Sequence, residues 1–273
     1  MKDFRLSIIT VCFNSEGTIE KTINSVLDNA KTCNFDVEYI IVDGGSTDGT
    51  IALASELLKC NPENMTTKII SEPDNGIYDA MNKGLSLAKG DFIGIINSDD
   101  HYLPSIFLEI RKTIDEINNV DILHSSVINR YDDGRTDYIR KPMKIERIYE
   151  GMIINHPSVF VRKDVYEKLC FDLNYKYIAD WVFITKVYEL GYRFYEYKGP
   201  SCVFSMEGVS NKFIPVRHKE IFSLYFEFYE KKILSKSLLV HLLLKQSLSF
   251  ILDFIKAKFP LFYRFSLLVR KRK

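Results

Sequence analysis

The sequence predicts an α/β fold with a mostly parallel central sheet. Four short apolar segments rich in β-branched residues, at 6–13, 37–42, 68–71 and 92–96, alternate with stretches of helical spacing. Each segment runs into a cluster of Asn, Asp, Gly or Ser. The last, Phe92-Ile-Gly-Ile-Ile96, has the unbroken apolar character of a strand buried on both faces, as parallel strands are. Such alternation makes right-handed crossovers the expected connection.

Segment 6–13 leads into Asn14-Ser-Glu-Gly17, a turn, and the helix over 18–29 carries Ile19, Ile23, Val26 and Leu27 at helical spacing. Segment 37–42 ends in Asp43-Gly-Gly-Ser-Thr-Asp48-Gly-Thr50, with a helix expected over 51–58. Segment 68–71 runs into Glu72-Pro-Asp74-Asn-Gly76 and a helix over 77–88, which Lys89-Gly90 closes with a glycine suited to a C-terminal cap. Beyond the fourth strand the pattern is less regular. A strand is expected over 121–128, a hairpin turn over 131–135, a strand over 159–161 and a short helix over 164–169. Another helix opens at Ile178-Ala-Asp180-Trp181 and ends at Leu190-Gly191. Past Arg217 the spacing is helical almost to the end, broken by Pro260. This divides the chain into a main domain over 1–216, with halves at about 1–100 and 101–216, and a helical appendage over 217–273. No internal repeat or low-complexity linker interrupts it.

A hydrophobic content of 46% with 27% charged residues is ordinary for a folded soluble chain of 273 residues. The net charge of +1 conceals a split. Residues 217–273 hold 13 Lys and Arg against 4 Asp and Glu, a net of +9, which leaves −8 on residues 1–216. A basic tail on an acidic body points the tail toward an anionic surface. No nucleic-acid partner is expected. Five cysteines, an odd number with no CxxC spacing, fit reduced thiols in the cytoplasm. The N-terminus shows no signal peptide, and no run of about 18 uninterrupted apolar residues suggests a spanning helix.

The strand at 92–96 ends in Asn97-Ser98-Asp99-Asp100. Adjacent carboxylates repel unless a cation or donor groups compensate. At the carboxyl end of a parallel strand they stand where open α/β sheets take ligands. Hard oxygen ligands side by side suit Mg²⁺ or Mn²⁺, with a diphosphate supplying further ligands; the alternative is that they cap the next helix. Asp43 and Asp48, among Gly, Ser and Thr, read as a ligand and a helix cap respectively. Asp180 on its residues alone is an N-cap.

Together these pieces resemble the inverting glycosyltransferases of family 2, with their GT-A nucleotide-sugar fold. The matching residues are Ser7-Ile-Ile-Thr10-Val-Cys-Phe-Asn14, Ile41-Val-Asp43-Gly-Gly-Ser46-Thr-Asp48-Gly-Thr50, and Glu72-Pro-Asp74-Asn-Gly76-Ile-Tyr78-Asp79-Ala-Met-Asn82-Lys83-Gly84. Gly90-Asp91, the Asn97–Asp100 run and Ala179-Asp180-Trp181 complete them. The resemblance implies that Thr10, Asn14, Asp43, Asp74, Lys83, Asn97 and Ser98 bind the donor nucleotide. It implies that Asp99 and Asp100 hold Mn²⁺ or Mg²⁺, Asn97 taking the first carboxylate position of the family's Asp-x-Asp motif. Asp180 falls at the general base, the one group an inverting displacement needs. His156 and Trp181 fall on the acceptor side, where a structural histidine and a packing tryptophan are the alternatives.

The implied activity moves one sugar from a nucleotide-diphosphate donor to a glycan or lipid-linked acceptor, in making a surface polysaccharide such as lipopolysaccharide, O-antigen or capsule. The other reading is a non-catalytic nucleotide-sugar-binding or scaffold protein of the same fold. A dehydrogenase is disfavoured, because no G-x-G-x-x-G follows the first strand. Leu238-Leu-Val, Leu242-Leu-Leu and Phe250-Ile-Leu, separated by lysines, fit an amphipathic helix over 233–273 on the inner face of the cytoplasmic membrane; a helical appendage packed on protein is the alternative.

Overall fold

The computed structural model describes residues 4–117, 119–131, 135–206 and 214–258, leaving aside the side chain of residue 256. Strands β1 (Arg5–Cys12), β2 (Asp36–Asp43), β3 (Met65–Ser71) and β4 (Phe92–Asn97) form a parallel half-sheet in the order β3-β2-β1-β4. Helices α1 (Ile19–Lys31), α2 (Thr50–Leu57) and α3 (Ile77–Leu87) make the crossovers. Alternation along β1 decides which helix each residue meets. Leu6 and Ile8 join the buried cluster holding Ile19, Ile23 and Val26 of α1. Ile9 turns to α3, where Gly84 allows close approach: a Cβ there would stand 2.5 Å from Ile9 Cγ2.

Then come β5 (His101–Tyr102), α4 (Ile106–Glu116), β6 (Ile122–Arg130), β7 (Tyr138–Arg140), β8 (Phe160–Arg162), α5 (Lys163–Lys168), α6 (Ala179–Glu189) and β9 (Phe194–Ser205). Past β4 the sheet is mixed. β8 runs antiparallel to β4, β6 antiparallel to β8, β9 parallel to β6, and β5 antiparallel to β9. β7 closes a hairpin on β6; residues 132–134 of its expected turn lie outside the described residues. Neither α4 nor β9 was expected. β9 carries a Gly199-Pro200 step, its burial does not alternate, and its pairing with β6 shifts register twice around Ser126.

Gly90 does not cap α3, which ends at an extended Ala88. It lies instead against the β1 backbone, where a Cβ would stand 2.5 Å from Ser7 N and 2.9 Å from Arg5 O.

The chain divides into two compact units, Met1–Met206 and Glu207–Lys273. In the second, α7 (Pro215–Glu230) packs against α8 (Lys236–Lys258). His218 Nδ1 lies 2.7 Å from Gln246 Nε2, and Arg217 pairs with Asp253 at 3.5 Å. The expected break at Pro260 lies outside the described residues. By length and composition alone, Lys236–Ile255 is long and apolar enough to cross a membrane. Lys245 and Asp253 interrupt the apolar run, but the segment as a whole remains apolar.

Candidate active site

The chain leaves β1 toward β2 on one side and later returns to β4 on the other. The loops after β1 and β4 therefore part at the carboxyl end of the sheet, the switch point where such sheets take ligands. Asn14 adopts a left-handed conformation there, φ 48°, which Asn tolerates better than most residues. Its N–H donates to Ser46 Oγ (2.7 Å), and its Oδ1 accepts from Thr47 N–H (2.9 Å). Ser15 N–H donates to Thr50 Oγ1 (2.7 Å), and Glu16 Oε2 accepts from Gly49 N–H (3.0 Å). The loops after β1 and β2 are thus laced together. Phe13 stands between them and the strand end, 60% exposed.

Asp43 is buried inside its turn. Its Oδ2 accepts from Gly45 N–H (3.2 Å), Ser46 N–H (2.9 Å) and Ser71 Oγ (2.7 Å), and its Oδ1 from the Ser46 hydroxyl. Burial pushes this carboxyl up, but the hydroxyl and amide donors outweigh it and hold the pKa below the usual value. The expected open acceptor is therefore corrected: Asp43 fastens the turn. Asp48 accepts from Thr50 N–H (3.0 Å) at the start of α2, as a cap does. Thr10, expected at the nucleotide, is fully buried within β1, with Oγ1 3.0 Å from Tyr39 Oη.

Asp74 accepts from Gly76 N–H (2.8 Å) and lies against Gly44, where a Cβ would meet its Oδ2 at 2.4 Å. Lys83 Nζ donates to Pro73 O (2.9 Å) and pairs with Glu72 (2.9 Å), which raises its pKa. In the ligand-free chain its charge is engaged within the loop after β3.

At the end of β4, Ser98 Oγ donates to Ser15 Oγ (2.8 Å), joining this loop to the one after β1. Asn97 Nδ2 reaches Asp100 Oδ2 at 3.5 Å, while its Oδ1 is buried with no partner among the described residues. Asp99 is half-buried. Asp100 is buried, and its Oδ1 accepts from Ser205 N–H of β9 (2.8 Å). Burial pushes both carboxyls up, Asp100 well up, where the charge of Asp99 adds to the effect. Among the described residues, no three His, Cys, Asp or Glu side chains gather as a metal cluster.

Asp180 occupies the first turn of α6. Its Oδ1 accepts two hydrogen bonds, from the Tyr78 hydroxyl (2.8 Å) and from Trp181 N–H (2.9 Å). His156 stands near enough to feel its charge; burial lowers the imidazole pKa and the carboxylate opposes that shift. Phe171 underlies both neighbours, its ring centroid 5.5 Å from Tyr78 and 5.9 Å from His156. Trp181 is corrected as an acceptor contact: it is buried, and its Nε1 donates to Ile148 O (2.6 Å). Sequence reasoning had not given Tyr78 or Phe13 a role in the site. The available signals were a tyrosine one turn past the Asp74 loop and an aromatic residue directly before the Asn14 turn.

Strand-end loops bearing Asn, Ser and Asp on a half-parallel sheet form a ligand site of the α/β switch-point kind, with a separate carboxylate on α6. The family model for glycosyl transferase family 2 matches residues 7–170, and the chain belongs to that family: it is a nucleotide-sugar-dependent glycosyltransferase. It is 29% identical over 179 residues to a PGL/p-HBAD biosynthesis glycosyltransferase of Mycobacterium bovis, covering 65% of this chain and 67% of that one. It is 26% identical over 204 residues to an uncharacterized glycosyltransferase of Haemophilus influenzae, covering 68% and 61%. Among solved structures it resembles S. aureus TarS 1–349 in complex with UDP-GlcNAc, with TM-score 0.65 and 19% identity over 93% of this chain and 73% of that one. It also resembles the mannosyltransferase PcManGT of Pyrobaculum calidifontis in complex with GDP-Man and Mn²⁺, with TM-score 0.62 and 18% identity over 98% and 79%. The chain spans 44% of the longer TarS chain.

Proposed function

We propose that the chain transfers one sugar with inversion from a nucleotide-diphosphate donor to a glycan or lipid-linked glycan, with Asp180 as base. The observation that carries this reading is the setting of Asp180: half-buried, with one oxygen engaged by the Tyr78 hydroxyl and Trp181 N–H. Among the described residues nothing donates to Oδ2, so that oxygen is open to an acceptor hydroxyl. As the acceptor oxygen attacks the anomeric carbon, its proton passes to Asp180. The bond to the diphosphate breaks on the opposite face and the diphosphate leaves with the electron pair, which inverts the centre.

The donor lies over the loops after β1, β3 and β4, which carry Asn14, Asp74, Asn97 and Ser98, with Phe13 offering a face to the base. Asp99 and the orphaned Oδ1 of Asn97 fit a divalent ion, Mn²⁺ or Mg²⁺, as hard oxygen ligands. When bound, the ion offsets charge on the leaving diphosphate. Asp100 serves better as the anchor to β9 than as a ligand. The Mn²⁺ and GDP-Man bound by PcManGT and the UDP-GlcNAc bound by TarS support a donor and metal of these classes. Surface-polysaccharide synthesis at the inner face of the cytoplasmic membrane fits the exposed apolar residues of α8 and the basic tail.

A thermal-shift panel of UDP-, GDP- and dTDP-sugars with Mn²⁺, Mg²⁺ or EDTA tests the donor site, because a ligand that binds only the folded state raises Tm. The expected result is a shift for one nucleotide class that needs metal. No shift for any of them in folded protein refutes it.

A further inference from the structure

The hydroxyl of Tyr78 is placed differently from every other polar contact at this site. Tyr78 lies in the first turn of α3, directly after the Asp74 loop, whereas Asp180 lies 102 positions later in α6. Their hydrogen bond of 2.8 Å is a side-chain link from the donor half of the main unit to the carboxylate that takes the acceptor proton. The tyrosine is 8% exposed and its ring rests on Phe171, so its position is set by packing.

We propose that Tyr78 is a positioning residue: its hydroxyl holds Oδ1 of Asp180 so that Oδ2 faces the acceptor. This rests on Asp180 being the base. With Tyr78 and Trp181 N–H both on Oδ1, rotation of the carboxyl about its Cβ–Cγ bond would break two hydrogen bonds. A base kept in one orientation pays less entropy on reaching the transition state. The groups facing Asp180 are Tyr78 from α3 and His156 from the segment before β8; among the described residues no Lys or Arg pairs with it. Nothing else there replaces the lost donor.

Tyr78→Phe keeps the ring on Phe171 and removes only the oxygen. Two measurements on the full chain read the effect. The first is steady-state release of nucleoside diphosphate from a UDP- or GDP-sugar selected by Tm shift, with water standing in for the acceptor hydroxyl. The second is the Tm of each variant, Asp180→Asn included, which reads loss of packing apart from loss of the hydroxyl. For Tyr78→Phe, kcat is expected to fall about tenfold with the donor KM unchanged. Tm is expected to stay near that of the parent, because the ring contact with Phe171 is kept. An unmoved kcat, or a rise in donor KM that matches the fall in kcat, overturns the role of Tyr78 and leaves Asp180 as base. Asp180→Asn turning over like the parent protein overturns the base itself, a result distinct from failure of the tyrosine.

Discussion

His124 in β6 is buried, its Nδ1 has no partner among the described residues, and its ring meets Phe194 edge-on at 6.3 Å. Burial pushes its pKa down to about 4. The unfolded chain binds that proton near pH 6.5, so stability is present above that value and drains away as pH falls toward 4. The full effect is about 3 kcal/mol. His124→Leu, compared with the parent by urea unfolding at pH 7 and pH 4.5, is expected to show a flatter dependence; equal slopes would remove His124 as the cause. Asp43 behaves in the opposite way to a typical buried acid. Four donors hold it ionised, so its share of stability persists above the ordinary carboxylate pKa and disappears only in strong acid. Side-chain identity suggested a ligand at Asp43; its neighbours make it a fastener.

At the scale of elements, the run from α3 into β4 depends on a glycine with no left-handed φ to explain it. Gly90 passes so close to β1 that its N–H donates to Ser7 Oγ at 2.8 Å while Asp91 N–H donates to Arg5 O at 2.8 Å. Gly90→Ala sets a methyl against backbone atoms that cannot step aside without breaking the β1 edge. It is expected to cost about 1–3 kcal/mol. A drop in the urea midpoint checks this; an unchanged midpoint would show that the β1 edge yields. The four parallel strands were legible because each is a compact apolar run with turn residues at its end. β9 was not, because its pairing relies on bulged register with β6 rather than on a pattern of its own.

For the whole molecule, the second unit exposes Val240, Leu244, Leu248 and Ile251 at spacings of four and three along α8. One helix face thus stays apolar while the sequence around it is basic. If that face meets an anionic bilayer, Leu244→Asp with Leu248→Asp in the full chain will abolish co-flotation with phosphatidylglycerol vesicles and leave Tm near that of the parent, because these side chains are 67% and 58% exposed. Flotation that survives both substitutions removes this face as the anchor.

The sequence by itself determined the family, the parallel half of the sheet and the order of the strand-end motifs, because these are local patterns of apolar runs and turn residues. It also marked Asp180. Only the tertiary structure decided which of the motif's polar groups are open. Thr10, Asp43 and Lys83 have chemistry suited to a ligand but spend it on Tyr39, the Ser46 turn and Glu72. Tyr78 has an ordinary place in a helix and reaches Asp180 across 102 residues. A one-dimensional pattern records which groups a site possesses; hydrogen-bond partners brought from distant strands and helices decide which of them remain available.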